Sequence, residues 1–276
     1  MSIQSNGLLF TEEIGECLRR NRIAIGISID GPPNINDVFR VNHKGEGSSQ
    51  LLEGKIKLIT TKYRDIFSGF LTVINPLTDP IKVLKYLLSF NAQGIDLLLP
   101  HHNYQNLPVR KEANLNDTSY ADWLIKAFDY WFNSNSNTSI RFFDSIIRLI
   151  LAEQTLVETI GNPNVDVVVI ECNGQIEADD NLRSTYDGIT RLGYNVYDNS
   201  FNDVVEDSNI QMRRLGNDRL CEKCRNCHIV NICGGGNLPH RYSKYNMFNN
   251  PSVYCADLVK LIEHIKNKIH EENIKT

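Results

Sequence analysis

Short apolar runs alternate with amphipathic segments over the first hundred residues of the chain. The apolar runs have the length of buried strands and end at turn-forming residues; they cover residues 23–29, 70–74 and 95–100. Segments with the apolar spacing of amphipathic helices lie before and between them, at residues 11–21, 51–63 and 79–90. This alternation predicts parallel strands joined by helical crossovers, the pattern of an α/β fold.

Polar side chains follow the predicted strands, where parallel sheets place their ligand groups. Such positions are occupied by Ser28, Asp30, Asn75, His101 and His102. Residues 3–7 resemble the end of one more strand whose beginning is missing. With about three or four strands before the pattern changes, we expect a thin sheet with an exposed edge.

The pattern changes after residue 105. Residues 118–132 and 140–151 carry aromatic and aliphatic side chains at helical spacing, and we expect these stripes to belong to a hydrophobic core rather than to a cofactor site. Residues 165–172, the Asn173-Gly174 pair and residues 175–177 predict a β-hairpin. An amphipathic helix is predicted over residues 256–268, with its apolar face docked on the protein.

The composition and the net charge limit the classes of molecule that we expect this protein to bind. Hydrophobic residues make up 41% and charged residues 22% of the chain, as in ordinary globular proteins. The net charge of −4 and the scattered basic residues argue against nucleic acid as a partner. No apolar run approaches the ~20 residues that span a bilayer, and residues 1–7 lack the features of a signal peptide. We therefore expect no membrane association and a cytoplasmic location.

Five of the seven cysteines are clustered near the C-terminal end, at Cys221, Cys224, Cys227, Cys233 and Cys255. In a reducing cytoplasm such a cluster indicates metal ligands rather than disulfides. Thiolates at this spacing, followed by three glycines at 234–236, can converge on a soft metal centre. The glycines allow the backbone to approach closely and to turn its N–H groups toward sulfur.

The spacing alone leaves the identity of the metal open. Structural zinc often uses two Cys-x2-Cys pairs, and Cys224 with Cys227 or with Cys221 can supply such a pair. A ferredoxin-like run begins at Cys221 but breaks because five residues separate Cys227 from Cys233. An iron–sulfur cluster and zinc are thus equally supported.

The other cysteines and the nearby histidines carry less information. His228 and His240 are expected to be surface or supporting residues rather than ligands. Cys17 and Cys172 are expected to be small buried apolar residues.

Several segments resemble the motifs of radical S-adenosylmethionine (SAM)/SPASM peptide maturases, and the resemblance spans nearly the whole chain. Residues 28–32 (Ser-Ile-Asp-Gly-Pro), with Asp37 and Arg40, resemble one barrel segment; residues 3–7 and 94–100 resemble two other barrel strands. The run from Cys224 to Gly236 and residues 250–255 resemble the SPASM end. Residues 238–243 are most similar to maturases that crosslink aromatic side chains, the cyclophane-forming group.

The resemblance implies a fold and a division of the chain. The expected fold is α/β: a partial parallel βα barrel, then a helical bridge, then a small cysteine-rich SPASM domain. The corresponding boundaries are residues 1–105 for the barrel portion, 106–212 for the bridge with its hairpin, and 213–276 for the SPASM domain with its C-terminal helix.

The resemblance also implies a ligand set. Cys224, Cys227, Cys233 and Cys255 match the four ligands of one auxiliary [4Fe–4S] cluster, which leaves Cys221 as an extra thiol. Two cysteines of the family's other auxiliary cluster are replaced here, by Asp179 and by Asn237. We therefore expect that other cluster to be absent.

Radical chemistry in the family requires a C-x3-C-x2-C motif, which the sequence does not contain. We expect a truncated or split protein that cannot cleave SAM alone, so that SAM is a cofactor only if an upstream polypeptide supplies the missing barrel half. Ser28 and Arg40 match positions that bind the carboxylate and ribose side of SAM in relatives. A helix-capping serine and a surface arginine explain these two residues equally well.

The sequence leads to a functional hypothesis and one alternative. Complete relatives crosslink side chains of a ribosomal precursor peptide by hydrogen abstraction, which implies a precursor peptide and an upstream polypeptide as partners. Whether this chain is itself an enzyme stays open because the cluster motif is missing. The alternative is a non-catalytic iron–sulfur or zinc module that binds a peptide or a partner enzyme.

Overall fold

The computed structural model describes residues 1–134, 136–155, 157–161, 163, 167–211, 213 and 216–275. Positions 165 and 166, the start of a predicted strand, lie outside the described residues, as does the predicted domain boundary at 212. The described chain forms two compact units, one comprising Met1–Pro100 with Asp122–Asp144 and the other His101–Ala121 with Ser145–Thr276. The three-part division expected from the sequence stays a prediction.

A parallel sheet forms the centre of the first unit. Its five strands pair in sequential order, and they are β1 (Ser2–Ser5), β2 (Ala24–Ser28), β3 (Phe67–Val73), β4 (Gly94–Leu98) and β5 (Ser139–Ile140). The predicted α/β alternation is confirmed. The expected three or four strands were an underestimate, because β5 has only two residues and no sequence pattern of its own.

Helices lie between and after these strands, and the longer ones lie at the predicted places. They are α1 (Glu12–Arg20), α2 (Pro33–Asn36), α3 (Ser49–Lys62), α4 (Pro80–Leu88), α5 (Ser119–Phe132) and α6 (Arg141–Ile150). The Thr11 hydroxyl accepts a hydrogen bond from the Ile14 N–H, and the Asp79 carboxylate accepts one from the Ile81 N–H. These caps satisfy N–H groups that have no partner within the helix, which fixes where α1 and α4 begin.

The aromatic stripes of residues 118–151 are core, as predicted. Phe128 and Phe143 are completely buried, and their ring centroids lie 5.3 Å apart in an edge-to-face arrangement. Trp123 is 3% exposed, and its indole N–H donates to the Thr78 hydroxyl over 3.1 Å.

Cys17, by contrast, is exposed, so its predicted burial is wrong. It lies on the solvent side of α1, whose buried positions are Gly15 and Leu18.

The second unit contains a three-stranded antiparallel sheet and short helices. The strands are β6 (Val168–Ile170), β7 (Gln175–Ala178) and β8 (Arg191–Asn195), paired in the order β6-β7-β8. Ile170 pairs with Ile176, which confirms the predicted hairpin. Cys172 is exposed near the hairpin turn, so its predicted burial is also wrong.

Five helices follow in this unit: α7 (Phe201–Val205), α8 (Ser208–Gln211), α9 (Glu222–Arg225), α10 (Val230–Cys233) and α11 (Cys255–Lys275). Four apolar residues of α11 are at most 1% exposed: Leu258, Leu261, Ile262 and Ile265. The predicted docking of this helix by its apolar face is confirmed. Among the described residues, no helix is both long and apolar enough to cross a membrane.

Candidate metal centre

Four of the clustered cysteines line one cavity of about 440 Å³ in the second unit. Cys224 lies in α9, Cys227 in the turn that follows, Cys233 at the end of α10, and Cys255 at the start of α11. The wall between them is largely apolar, with Tyr104, Ile229, Val230, Val253 and Val259 among its residues. Three short segments of chain thus bring four sulfurs to one enclosed space.

Two consecutive turns of the chain contain Cys224 and Cys227, the first two cysteines of the cavity wall. The Cys224 N–H donates to the Cys221 carbonyl over 3.0 Å, and the Cys227 N–H donates to the Cys224 carbonyl over 3.1 Å. The second turn therefore brings Cys227 back toward the side of the chain on which Cys224 lies. This is why the Cys-x2-Cys spacing places both sulfurs at one cavity wall.

The three glycines after Cys233 reverse the chain next to its sulfur. Gly234, Gly235 and Gly236 have φ of 61°, 81° and 68°, a region that favours glycine. A Cβ on Gly235 would lie 2.6 Å from Cδ2 of Leu220, so a side chain there would require Leu220 to move. The Gly236 N–H donates to the Cys233 carbonyl over 3.0 Å, which closes the turn, and the role predicted for the glycine N–H groups toward sulfur stays a prediction.

A buried ion pair fixes the fourth sulfur. Asp257, two residues after Cys255, contacts the ammonium of Lys111 over 2.6 Å, and both side chains are at most 1% exposed. Asp257 also accepts a hydrogen bond from the Ala121 N–H over 2.9 Å. The start of α11 is thereby tied to residues 111–121. Sequence analysis missed this pair, because neither residue belongs to a motif.

Burial keeps the thiols of Cys224, Cys233 and Cys255 protonated when no metal is bound. It raises the pKa of Cys224 and of Cys233 to about 12 and also raises the pKa of Cys255. The nearby sulfurs raise the pKa of Cys224 further, since neighbouring thiolates would repel one another. Metal binding at neutral pH must therefore displace protons from these cysteines.

Both zinc and iron–sulfur clusters use donor sets of four cysteines, such as the four that line this cavity. In tetrahedral zinc sites, Zn–S bonds of about 2.3 Å bring the sulfurs within about 3.8 Å of one another. Within the part of the chain that the structure describes, no three His, Cys, Asp or Glu side chains are grouped closely enough to hold one ion. Four cysteines around a cavity can also hold a larger core of irons and sulfides, which Cys₄ sets bind.

Cys221 stands apart from these four. It is 7% exposed and packs with Leu220 and Cys224 rather than at the cavity wall. Its side chain packs against that of Cys224 in one buried cluster. The structure therefore places Cys221 behind Cys224, as a contact of the predicted ligand.

The two histidines near the cysteines are not part of the cavity wall. His228 is on the surface, where its Nε2 lies 2.9 Å from a carboxylate oxygen of Glu263. His240 is 2% exposed and packs against the rings of His101 and Tyr254. Burial lowers the pKa of His240 to about 3, so it is neutral. Both histidines thus have the surface or supporting roles predicted for them.

Asp179 and Asn237, which replace two cysteines of the family pattern, are both 4% exposed. The carboxylate of Asp179 lies 2.7 Å from the guanidinium of Arg213, which also pairs with Glu158. These groups form a buried ion cluster in the second unit. The predicted absence of a second auxiliary cluster stays a prediction.

Ser28 and Arg40 lie at the carboxyl end of β2. The Ser28 hydroxyl accepts a hydrogen bond from the side-chain amide of Gln4 over 2.9 Å, and it caps no helix, since Pro32 is the N-cap of α2. Arg40 forms a two-point ion pair with Asp30, at 2.6 and 2.9 Å. Their predicted role in binding SAM stays a prediction.

Comparisons with known proteins agree on one type of enzyme. No protein-family model matches the chain. The cysteine-type anaerobic sulfatase-maturating enzyme of Clostridium novyi (strain NT) is 25% identical over 278 residues, which cover 97% of this chain and 71% of that enzyme.

Solved structures give the same result for the fold. Native anSMEcpe with bound AdoMet and Cp18Cys peptide matches with a TM-score of 0.83 and 25% identity, over 100% of this chain and 76% of that one. Streptococcus suis SuiB bound to precursor peptide SuiA matches with a TM-score of 0.53 and 15% identity, over 91% and 58%. The homologues of this chain are anaerobic sulfatase-maturating enzymes of the radical SAM/SPASM type, and its fold is that of these maturases.

Proposed function

We propose that this chain binds one auxiliary [4Fe–4S] cluster and is part of a radical SAM/SPASM maturase that acts on a peptide. The observation that carries the proposal is the convergence of Cys224, Cys227, Cys233 and Cys255 on one cavity. When bound, the cluster supplies electron transfer or substrate placement. The chain supplies four sulfur ligands, a glycine turn after Cys233, and a buried ion pair that holds the start of α11.

Peptides are the proposed substrate class. The names of two matched structures state that anSMEcpe is bound to the Cp18Cys peptide and SuiB to the precursor peptide SuiA. By analogy with SuiB, the proposed substrate of the complete system is a ribosomal precursor peptide. The proposed product, a crosslink between its side chains, rests on the resemblance of residues 238–243 to crosslinking maturases. Mass spectrometry of the peptide tests this, because a crosslink formed by hydrogen abstraction removes hydrogen without adding atoms.

SAM cleavage is proposed to need a second polypeptide. The sequence has no C-x3-C-x2-C, so this chain does not hold the cluster that SAM chelates in the family. An upstream polypeptide that carries this motif is the proposed partner. Ser28 and Arg40 are then the residues of this chain that contact SAM.

A non-catalytic module is the second candidate, and the missing C-x3-C-x2-C motif is the observation that favours it. Such a module would use the same cysteines to hold an iron–sulfur cluster or zinc and would bind a peptide or a partner enzyme. One experiment, the addition of the upstream polypeptide, distinguishes the two candidate functions. Only the maturase should form 5′-deoxyadenosine and modified peptide when the upstream polypeptide is added.

Metal content tests the proposed cluster directly. Anaerobic reconstitution with iron and sulfide should give a brown protein with about four irons per chain, as in Cys₄ cluster sites. A variant with serine at the four cavity cysteines is the matched control and should hold none. A colourless protein that binds one zinc and no iron would refute the cluster assignment.

A further inference from the structure

Arg241 is a buried cation beside the cysteine cavity. It is 1% exposed and ends the 3₁₀ turn Leu238–Arg241. Its guanidinium donates to three backbone carbonyls: Nε to Asn250 over 3.1 Å, and Nη2 to Phe248 over 2.8 Å and to Arg219. These bonds hold the side chain in one orientation, but carbonyl groups carry no net charge.

No carboxylate within the described residues pairs with Arg241. The other deeply buried arginine shows the contrast, because Arg213 lies 2.7 Å from Asp179 and also pairs with Glu158. Burying a charge without a counter-charge is unfavourable. The buried charge of Arg241 therefore needs a nearby anion, and none of the described carboxylates provides it.

The cysteine sulfurs are the anions within reach. The Nη1 atom of Arg241 would lie 3.7 Å from a Cβ on Gly235, so the guanidinium stands next to the glycine turn after Cys233. Burial lowers the pKa of Arg241, whereas the sulfurs of Cys224, Cys221 and Cys233 act in the opposite direction. Protonated thiols are neutral, so these sulfurs neutralise Arg241 only as metal-bound thiolates.

We propose that Arg241 is the buried counter-charge of the cluster held by Cys224, Cys227, Cys233 and Cys255. This inference rests on the proposed cluster. Four thiolates give the bound cluster a net negative charge, and a one-electron reduction increases it. A fixed positive charge nearby stabilises the reduced form more than the oxidised form, since net charge is one of the determinants of cluster potential.

The midpoint potential of the reconstituted full-length chain tests the proposal. It is measured by anaerobic titration with dithionite and redox mediators, followed by visible absorbance. Arg241→Gln should keep the iron content and shift the midpoint to a more negative potential. Arg241→Lys, which keeps the charge but not the guanidinium fork, should stay close to the wild-type value.

A matched control separates local charge from overall charge. Arg225 lies one residue after Cys224 but is exposed, so solvent and salt screen its charge. Arg225→Gln should leave the midpoint unchanged. A midpoint of Arg241→Gln equal to that of the wild type would overturn the proposal.

If the Arg241→Gln variant loses the cluster, the Arg241→Lys variant decides whether the charge of Arg241 matters. If the lysine variant holds the cluster at the wild-type potential, the charge is what matters; if it also loses the cluster, Arg241 serves only to hold the backbone, and the proposal fails. Failure of the underlying cluster assignment looks different, because the wild-type protein itself would then take up no iron.

Discussion

At the scale of single residues, the position of each side chain separates the cysteines. Cys224 and Cys221 are both nearly buried, yet Cys224 lines the cavity and Cys221 lies behind it. Cys17 and Cys172 are exposed and lie outside the cavity wall. Sequence spacing identified the clustered cysteines as candidate ligands. The position of each side chain decides which of them lines the cavity and which only packs against a candidate ligand.

Cys221→Ala should retain the iron–sulfur cluster. Its side chain packs against Cys224 and is not part of the cavity wall, so its removal takes away a packing contact and no proposed ligand. Iron per chain after reconstitution should stay near the wild-type value, whereas Cys224→Ala should lose most of its iron. Equal losses in the two variants would contradict this division of roles.

His240 should make stability depend on pH. Burial lowers its pKa in the folded protein to about 3, while an unfolded histidine titrates near 6.5. Between these values the unfolded chain binds more protons, so the free energy of unfolding decreases as the pH falls below about 6.5. The contribution of His240 is a loss of about 2 kcal/mol between pH 7 and pH 5.

Urea unfolding at both pH values measures this effect. His240→Gln should reduce the pH dependence by about that amount. The control is His43→Gln, which removes an imidazole from an exposed loop and should behave as the wild type does. An unchanged pH dependence in His240→Gln would show that this imidazole is not held neutral.

At the scale of elements, the start of α11 combines a ligand with a buried ion pair. Cys255 is the first residue of the helix, and Asp257 in its first turn contacts Lys111. Helix patterns in the sequence predicted α11 well because its apolar face repeats along the chain. They did not predict the ion pair, because Lys111 and Asp257 are far apart in sequence and share no pattern.

Asp257→Asn should destabilise the protein and weaken cluster retention. It leaves the Lys111 ammonium buried without its counter-charge, which costs about 3–5 kcal/mol in comparable sites. Chemical denaturation gives the stability, and the rate of iron release to a chelator gives the retention. A matched control is Glu153→Gln, since its ion pair with Arg148 is exposed at 53% and 61% and should contribute at most about 1 kcal/mol. Equal effects of the two substitutions would rule out a special role for the buried pair.

At the scale of the whole molecule, the cysteine set limits what the chain can do alone. Its only cysteine-rich segment is the C-terminal one, and the sequence has no C-x3-C-x2-C. The matched enzymes are longer, and this chain covers 71% of the Clostridium novyi relative. The residues of this chain therefore include the cysteines of the proposed auxiliary cluster but not the motif that the proposed radical chemistry needs.

The purified chain should form no 5′-deoxyadenosine from SAM in the presence of reductant, even when its cluster is loaded. Three additional thiolates are needed to hold the cluster that SAM chelates, and the sequence does not provide them in that motif. Liquid chromatography of the reaction mixture measures the nucleoside. Its formation by the wild-type chain but not by the four-serine variant would show that the C-terminal cluster itself cleaves SAM.

The sequence by itself determined the strands β1 to β4, the longer amphipathic helices, and the clustered cysteines of the candidate centre. These features depend on local periodicity and short spacing, which act between neighbouring residues. It did not determine the exposure of Cys17, the place of Cys221 behind Cys224, the Lys111–Asp257 pair or the buried charge of Arg241. Only the tertiary structure decides these, because burial and charge pairing depend on contacts between residues far apart in the chain.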